Sequence, residues 1–160
     1  MSVAATLPGL LRIPLRVFED DRGWFVEIRR ASQLPHPTVQ TNISFSHAGT
    51  IRGLHYHERG QDDLFACLRG TARVVVLDRE TGDTFTEDIG EDNPVAVYIP
   101  GFHAHGFEAL TDILFCYHVT AEYDPGVPDE HTVPWNDPRV ASLWSSSTPI
   151  LSARDAAVES

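Results

Sequence analysis

The sequence of 160 residues contains no lysine, so all 12 of its Lys and Arg residues are arginines. Acidic residues number 23, and the formal net charge is −11. This balance argues against a nucleic-acid-binding surface, because phosphate backbones attract a positive field. A small phosphorylated ligand is still compatible with the composition, since a few well-placed arginines suffice to bind it.

Cysteines and long apolar runs are also scarce. The only two cysteines, Cys67 and Cys116, each lie in an apolar segment, which predicts two buried thiols rather than a disulfide framework. The chain contains no run of about 18 apolar residues, which is the length needed to span a membrane. The first residues lack the basic region and cleavage pattern of an export signal, so we expect a cytoplasmic protein.

Short runs of β-branched and aromatic residues fill the chain from Gly9 to about residue 120. The segment IPLRVFEDDRGWFVEIRR alternates apolar and polar residues around DDRG, as a β-hairpin does. Many short strands without a sustained helical period predict an all-β sandwich or barrel, in one domain over residues 1–160. Short helices are expected only near Arg30–Leu34 or Arg139–Leu143, and the Pro- and Ser-rich C-terminal segment packs onto the sheets through its tryptophans.

Two pairs of histidines suggest a metal site as one hypothesis. His55 and His57 have the spacing that puts alternate strand residues on one face, as do His103 and His105. Imidazoles and a carboxylate are suitable ligands for iron, zinc, manganese or nickel. His55, His57, Asp63 and His105 would then bind the ion, in an order that is similar to the metal-binding pattern of cupins.

Acid–base catalysis is the competing hypothesis. One histidine would remove a proton next to a ketone, and a tyrosine across the cavity would supply a proton to the other face. Tyr117 lies in a strand candidate after the second histidine pair and is the candidate acid. From the residues alone, Tyr117 fits a place in the core equally well.

Several sequence motifs together favour the acid–base hypothesis. The chain resembles the dTDP-4-dehydrorhamnose 3,5-epimerase family in DDRGWFVE, QTNISFSHAGTIRGLHYH, YIPGFHAHGFEAL, YHVTAEYDP, WNDP and LSARD, in that order. The resemblance implies a cupin-type jelly-roll barrel with a short helical or irregular C-terminal segment. It also implies a homodimer that exchanges an N-terminal strand, no metal or organic cofactor, and a dTDP-linked 4-keto-6-deoxy sugar as substrate.

The resemblance also implies roles for single residues. His55 corresponds to the general base and Tyr117 to the acid that reprotonates the opposite face. Arg22 and Arg52 correspond to the family's arginines that bind the diphosphate, whose oxygens fit a planar guanidinium. The other residues implied to contact the substrate are Phe25, Glu27, Gln40, Asn42, His57, His105, Tyr123 and Arg154.

Two positions depart from the family pattern. Typical members carry a lysine where this chain has Asp63, and that lysine stabilises the enolate oxygen; a carboxylate there has the wrong sign of charge. Typical members also carry an acid where Ala153 stands, and that acid pairs with the base histidine. Because Asp155 lies two residues further along, Asp63 is the expected substitute partner of His55. Stabilisation of the enolate then falls to Arg52, His57 or His105.

The leading interpretation is an isomerase that epimerises a dTDP-4-keto-6-deoxyhexose at C3, C5 or both. A metal-dependent cupin, acting as an oxygenase or isomerase through His55, His57, Asp63 and His105, is the first alternative. A dTDP-sugar-binding protein that has lost catalysis is the second. The sequence names neither the natural sugar nor the number of epimerised centres.

Overall fold

The computed structural model describes residues 7–158, and within them nearly all regular structure is β-strand. The strands are β1 (Leu11–Pro14), β2 (Val17–Asp20), β3 (Gly23–Val26), β4 (Gln40–Ser46), β5 (Ile51–Tyr56), β6 (Asp63–Arg69), β7 (Thr71–Leu77), β8 (Thr84–Gly90), β9 (Val95–Ile99), β10 (Ala104–Ala109), β11 (Ile113–Val119) and β12 (His131–Thr132). Short 3₁₀ helices occupy Ala31–Gln33 and Ala141–Leu143, and the α-helix α1 spans Ala153–Ala156. The predicted all-β class is confirmed.

Ten of these strands form two five-stranded antiparallel sheets. The first sheet has the order β1-β9-β6-β11-β4, and the second has the order β12-β5-β10-β7-β8. Strands β2 and β3 pair separately as the hairpin predicted around DDRG. Apart from β7 and β8, which are consecutive, neighbouring strands within these two sheets are not consecutive in sequence, which is the crossing pattern of a jelly roll rather than of a simple meander.

The main core lies between the two sheets. Apolar side chains of β7 and β10, such as Val74 and Phe107, pack against those of β9 and β11, such as Val97 and Phe115. The rings of Phe107 and Phe115 stack with their centroids 3.8 Å apart. This core holds the sheets together and leaves the opposite end of the interior to polar side chains.

Two smaller cores cover the outer faces of the sheets. The C-terminal segment packs Val140 and Trp144 onto β5 and β7, and the Trp144 indole donates a hydrogen bond of 2.7 Å to the Trp135 carbonyl. Residues of the N-terminal segment, including Ile13 and Ile28, pack onto β6 and β9. The expected attachment of the C-terminal segment through its tryptophans is therefore confirmed. Within residues 7–158, no helix has the length and apolar character needed to cross a membrane.

Candidate active site

A cavity of about 860 Å³ opens at the polar end of the two sheets. Its size falls within the usual range for small-molecule sites. Most of the residues expected to contact substrate line it: His55, Tyr117, Asp63, Gln40, Asn42, Arg52, His57, His105, Tyr123 and Arg154. The sheets and the C-terminal helix together bring residues more than a hundred positions apart in the chain, such as Gln40 and Arg154, to one cavity.

The close approach of β5 and β10 places two histidines side by side. His55 and His105 are paired residues of these neighbouring strands. Gly53 has a φ of 127°, and a Cβ atom there would lie 2.8 Å from the Cα of Gly106. A side chain at Gly53 would push the strands apart, which explains why glycine precedes the histidine in RGLH.

His55 has a buried carboxylate partner in Asp155. The Nε2 atom of His55 lies 2.9 Å from Oδ1 of Asp155, whose side chain is almost completely buried. Burial opposes ionisation of Asp155, but the hydrogen bond and charge of His55, together with the Gly53 N–H and the Arg154 charge, lower the pKa of the carboxyl. A carboxylate at Nε2 orients the ring and favours the tautomer with its proton on Nε2, in which Nδ1 is the basic nitrogen.

The expectation that Asp63 replaces the missing acid as partner of His55 is wrong. Ser152 caps α1 by accepting a hydrogen bond from the backbone N–H of Asp155, and this turn directs Asp155 toward β5. The second carboxylate oxygen of Asp155 accepts a hydrogen bond of 3.2 Å from the backbone N–H of Gly53. The two-residue offset from Ala153 is therefore absorbed by the helical turn.

Asp155→Asn is expected to lower turnover by roughly 10- to 100-fold, the usual cost of losing a group that orients an active-site histidine. The amide keeps the size of the side chain but removes the anion that stabilises a protonated His55. Asp92, an exposed carboxylate outside the cavity, provides the matched control as Asp92→Asn. Equal steady-state rates in the two variants would contradict a His55–Asp155 pair.

Glu130 is a site residue that the sequence analysis missed. Its Oε1 lies 3.2 Å from Nδ1 of His55, and its Oε2 accepts a hydrogen bond of 2.7 Å from Arg154. Arg154 also places Nη2 3.1 Å from Nε2 of His55. Glu130 precedes β12, which pairs with β5, and this pairing is what brings it to the base. No local motif marks that contact in the sequence.

Tyr117 faces the same cavity from the other sheet. It lies on β11, where it pairs with Asn42 of β4 and with Phe65 of β6. Burial first, and then the nearby charge of Asp63, raise the pKa of the phenol. The hydroxyl therefore keeps its proton at neutral pH and can donate it, as an acid opposite His55 must.

Asp63 instead belongs to a buried cluster with His57 and His105. Its Oδ2 lies 3.3 Å from Nε2 of His105, and its Oδ1 lies 3.6 Å from Nε2 of His57. Gln61 donates a hydrogen bond of 3.0 Å to the same Oδ1. Burial opposes ionisation of Asp63, but His105, His57 and the Gln61 hydrogen bond together lower the pKa of the carboxyl.

The two histidines of the cluster differ in their response to burial. Burial lowers the pKa of His57, and the neighbouring His105 lowers it further. Burial also disfavours the charged form of His105, but the charge and hydrogen bond of Asp63, with the His103 carbonyl and the charge of Glu130, raise the pKa of that imidazole. Of the two imidazoles, His105 is therefore the one that binds a proton more tightly.

Polar side chains suited to a nucleotide line the mouth of the cavity. Arg52 donates hydrogen bonds to the Ser46 hydroxyl (2.9 Å) and the Phe45 carbonyl (3.2 Å), which use only part of a guanidinium's donor set. Gln40 accepts a hydrogen bond of 2.9 Å from the backbone N–H of Tyr123, and this bond holds the Tyr123 segment at the mouth.

Three of the expected substrate-binding residues lie outside the cavity of their own chain. Arg22 is at the turn of the β2–β3 hairpin, where its side chain is 90% exposed and paired with Asp20. Phe25 follows on β3 and is 62% exposed, and Glu27 pairs with Arg30 on the surface. One chain thus supplies only part of the expected set.

Comparisons with known proteins agree with this arrangement. The family described as dTDP-4-dehydrorhamnose 3,5-epimerase matches residues 4–160. The spore coat polysaccharide biosynthesis protein SpsL of Bacillus subtilis is 38% identical over 135 residues, covering 79% of this chain and 89% of that protein. The dTDP-4-dehydrorhamnose 3,5-epimerase of Escherichia coli is 36% identical over 171 residues, covering 97% of this chain and 91% of the enzyme.

A solved structure supports the same assignment. The crystal structure of dTDP-4-dehydrorhamnose 3,5-epimerase from Bacillus anthracis, with TDP and PPi bound, matches with a TM-score of 0.87. The two sequences are 29% identical, and the match covers 98% of this chain and 97% of that one. The cupin-type jelly roll implied by the sequence motifs is confirmed. The chain belongs to the dTDP-4-dehydrorhamnose 3,5-epimerase family.

Proposed function

We propose that this protein epimerises a dTDP-linked 4-keto-6-deoxyhexose at C3, C5 or both. The observation that carries the proposal is the placement of a carboxylate-supported histidine, His55, and a protonated tyrosine, Tyr117, on opposite sheets of one cavity. Inversion of a carbon next to a ketone requires this pair, because the proton must leave one face and return to the other.

The chemistry follows from the contacts of each residue. His55 takes the α-proton on Nδ1, while Asp155 at Nε2 and Glu130 near Nδ1 stabilise the imidazolium that forms. The C–H electron pair moves into the new C–C double bond, and the carbonyl pair moves to the oxygen. Tyr117 then gives its proton to the opposite face of the carbon, which restores the ketone with inverted configuration.

The rest of the cavity suits a sugar nucleotide. Arg52 at the mouth provides the bidentate donors that diphosphate oxygens accept. Gln40, Asn42 and Tyr123 form a polar and aromatic wall beside it, where a base and sugar can bind. The family membership favours this function over the metal-dependent oxygenase or isomerase considered from the sequence.

Product analysis tests the proposed function. The protein is incubated with a dTDP-4-keto-6-deoxyglucose, the mixture is reduced with borohydride, and the released hexoses are identified by chromatography. We expect hexoses inverted at C3, at C5 or at both centres. Recovery of only the starting configuration, together with tight dTDP binding, would instead support the binding protein without catalysis.

We further propose a homodimer in which the β2–β3 hairpin of each copy lies beside the cavity of the other. The hairpin exposes Trp24 and Phe25, and the edge strand β4 exposes Ile43, each to more than half of its full extent. An exposed apolar surface of this kind favours association. In this arrangement Arg22, Phe25 and Glu27 would lie beside the cavity of the partner chain. Within their own chain they do not reach the cavity.

A charge on the hairpin tests the dimer. Phe25→Asp is expected to shift the protein from dimer to monomer in analytical ultracentrifugation and to weaken dTDP binding, because the partner's hairpin no longer docks. Phe102 is comparably exposed, at 53%, on another part of the surface, so Phe102→Asp is the matched control. A wild-type protein that sediments as a monomer at micromolar concentration would contradict the proposal.

We place the enzyme in the cytoplasm. Cys67 and Cys116 are free thiols in the structure, and burial raises the pKa of the Cys67 thiol to about 11. Free thiols are the usual state of cysteines in a reducing compartment.

A further inference from the structure

We infer that His57, Asp63 and His105 form a binding site for one divalent first-row transition-metal ion of the zinc, nickel or iron(II) type. One ligand atom from each residue lies within 4.8 Å of the others, and all three side chains are buried. Two imidazoles and one carboxylate are a common ligand set for such ions.

The orientation of both imidazole rings supports the site. His57 directs Nδ1 at the backbone carbonyl of Asp129, and His105 directs Nδ1 at the backbone carbonyl of His103, 2.8 Å away. Each carbonyl holds a proton on Nδ1 and so turns Nε2 toward Asp63. Metal-binding histidines are typically fixed in this way by a hydrogen bond from the other ring nitrogen.

The distances require only a small contraction around an ion. Ligand atoms at about 2.1 Å from a tetrahedral centre lie roughly 3.4 Å from one another. The carboxylate oxygens of Asp63 lie 3.3 Å from His105 Nε2 and 3.6 Å from His57 Nε2. In the structure, the Gln61 amide nitrogen lies between two of these ligand atoms, 3.0 Å from Oδ1 of Asp63 and 3.2 Å from Nε2 of His57.

The three ligands leave part of the coordination sphere to the cavity that they line. His105 is the strand neighbour of His55, so an ion held by His105 would lie on the same side of the cavity as the base. There it would accept the carbonyl oxygen as a Lewis acid and stabilise the enolate oxygen when His55 removes the proton. This role, unlike the metal site itself, rests on the epimerase function proposed above. It also resolves the sign problem of Asp63, because the carboxylate holds a cation instead of facing the enolate directly.

Metal titration tests the site without reference to catalysis. Protein made without a histidine tag is stripped with a chelator and titrated with zinc by calorimetry, and retained zinc is counted after gel filtration. We expect one zinc ion per chain. Asp63→Asn should weaken zinc binding by about a hundredfold or more, since loss of even an outer hydrogen-bond partner costs roughly 10- to 100-fold.

Two further variants complete the design. His36 is an exposed histidine outside the cavity, so His36→Gln should bind zinc as the wild type does. Asp63→Lys places an ammonium in the cluster and should bind no zinc, yet epimerise without added metal. Unchanged dTDP binding in every variant establishes that each is folded.

The outcomes separate this inference from the proposed function. Zinc binding that is absent, or that is equal in wild type and Asp63→Asn, would overturn the metal site. Chelator-stripped enzyme that epimerises at the full rate would overturn its role at the ketone, while leaving the epimerase function intact. Stoichiometric zinc binding without epimerisation under any condition would support the metal site but refute the proposed epimerase function.

Discussion

His55→Gln is expected to slow epimerisation by roughly 10²- to 10⁴-fold, the usual contribution of a positioned general base. Glutamine can still donate a hydrogen bond to the buried Asp155, so the fold and the cavity wall are kept. It has no basic nitrogen to accept the α-proton. The measurement is the rate at which inverted sugars form from a dTDP-4-keto-6-deoxyhexose.

The control for this variant is His36→Gln, which changes an exposed histidine away from the cavity. Its rate should equal that of the wild type. Calorimetric titration with dTDP should give the same affinity for His55→Gln and wild type, because the base contacts the sugar ring and not the nucleotide. A His55→Gln protein that keeps at least a tenth of the activity would show that another group is the base.

Tyr117→Phe is expected to separate proton exchange from inversion. His55 can remove a proton and return it to the same face, so exchange of the α-proton with solvent continues. Return of a proton to the opposite face needs the phenol, so inversion should fall by roughly 10²- to 10⁴-fold. The two rates are measured in one reaction, by the deuterium content and the configuration of the sugar.

Tyr56→Phe is the control for the phenol variant. Tyr56 lies on β5 outside the cavity, where Arg79 stacks on its ring, so loss of its hydroxyl should change neither rate. If Tyr117→Phe slows exchange and inversion equally, Tyr117 assists the abstraction step and is not the acid of the opposite face. Inversion at the wild-type rate would exclude it from the reaction.

Local patterns were sufficient to predict the fold class. The alternation in the segment around DDRG predicts a hairpin, and β2 and β3 form it. The absence of a helical period predicts an all-β protein, and the helices are limited to short turns. The pairing of strands distant in sequence, such as β1 with β9, depends on tertiary packing and could not be inferred from alternation alone.

The candidate site was predictable where a residue stands inside a motif on a strand. His55 in RGLH and Tyr117 in YHV lie on strands whose faces line the cavity. Asp155 was discounted because a two-residue offset looks too long, whereas the capped turn of α1 carries the carboxylate to His55. Glu130 was missed because its contact depends on the pairing of β12 with β5.

Asp63 stands where the family resemblance implies a lysine. A lone carboxylate near the ketone would repel the developing enolate oxygen. In the structure, however, Asp63 pairs with His57 and His105 and not with the base. This pairing is consistent with the inference that Asp63 serves to hold a positive charge in the cavity.

Deuterium incorporation tests the central claim most directly, because it follows the α-proton itself. The wild-type protein and His55→Gln are each incubated with a dTDP-4-keto-6-deoxyglucose in D₂O, and label at C3 and C5 is located by NMR. We predict label at one or both carbons with the wild-type protein and almost none with His55→Gln. Equal labelling by the two proteins, or no labelling by a wild-type protein that binds dTDP, would contradict the account.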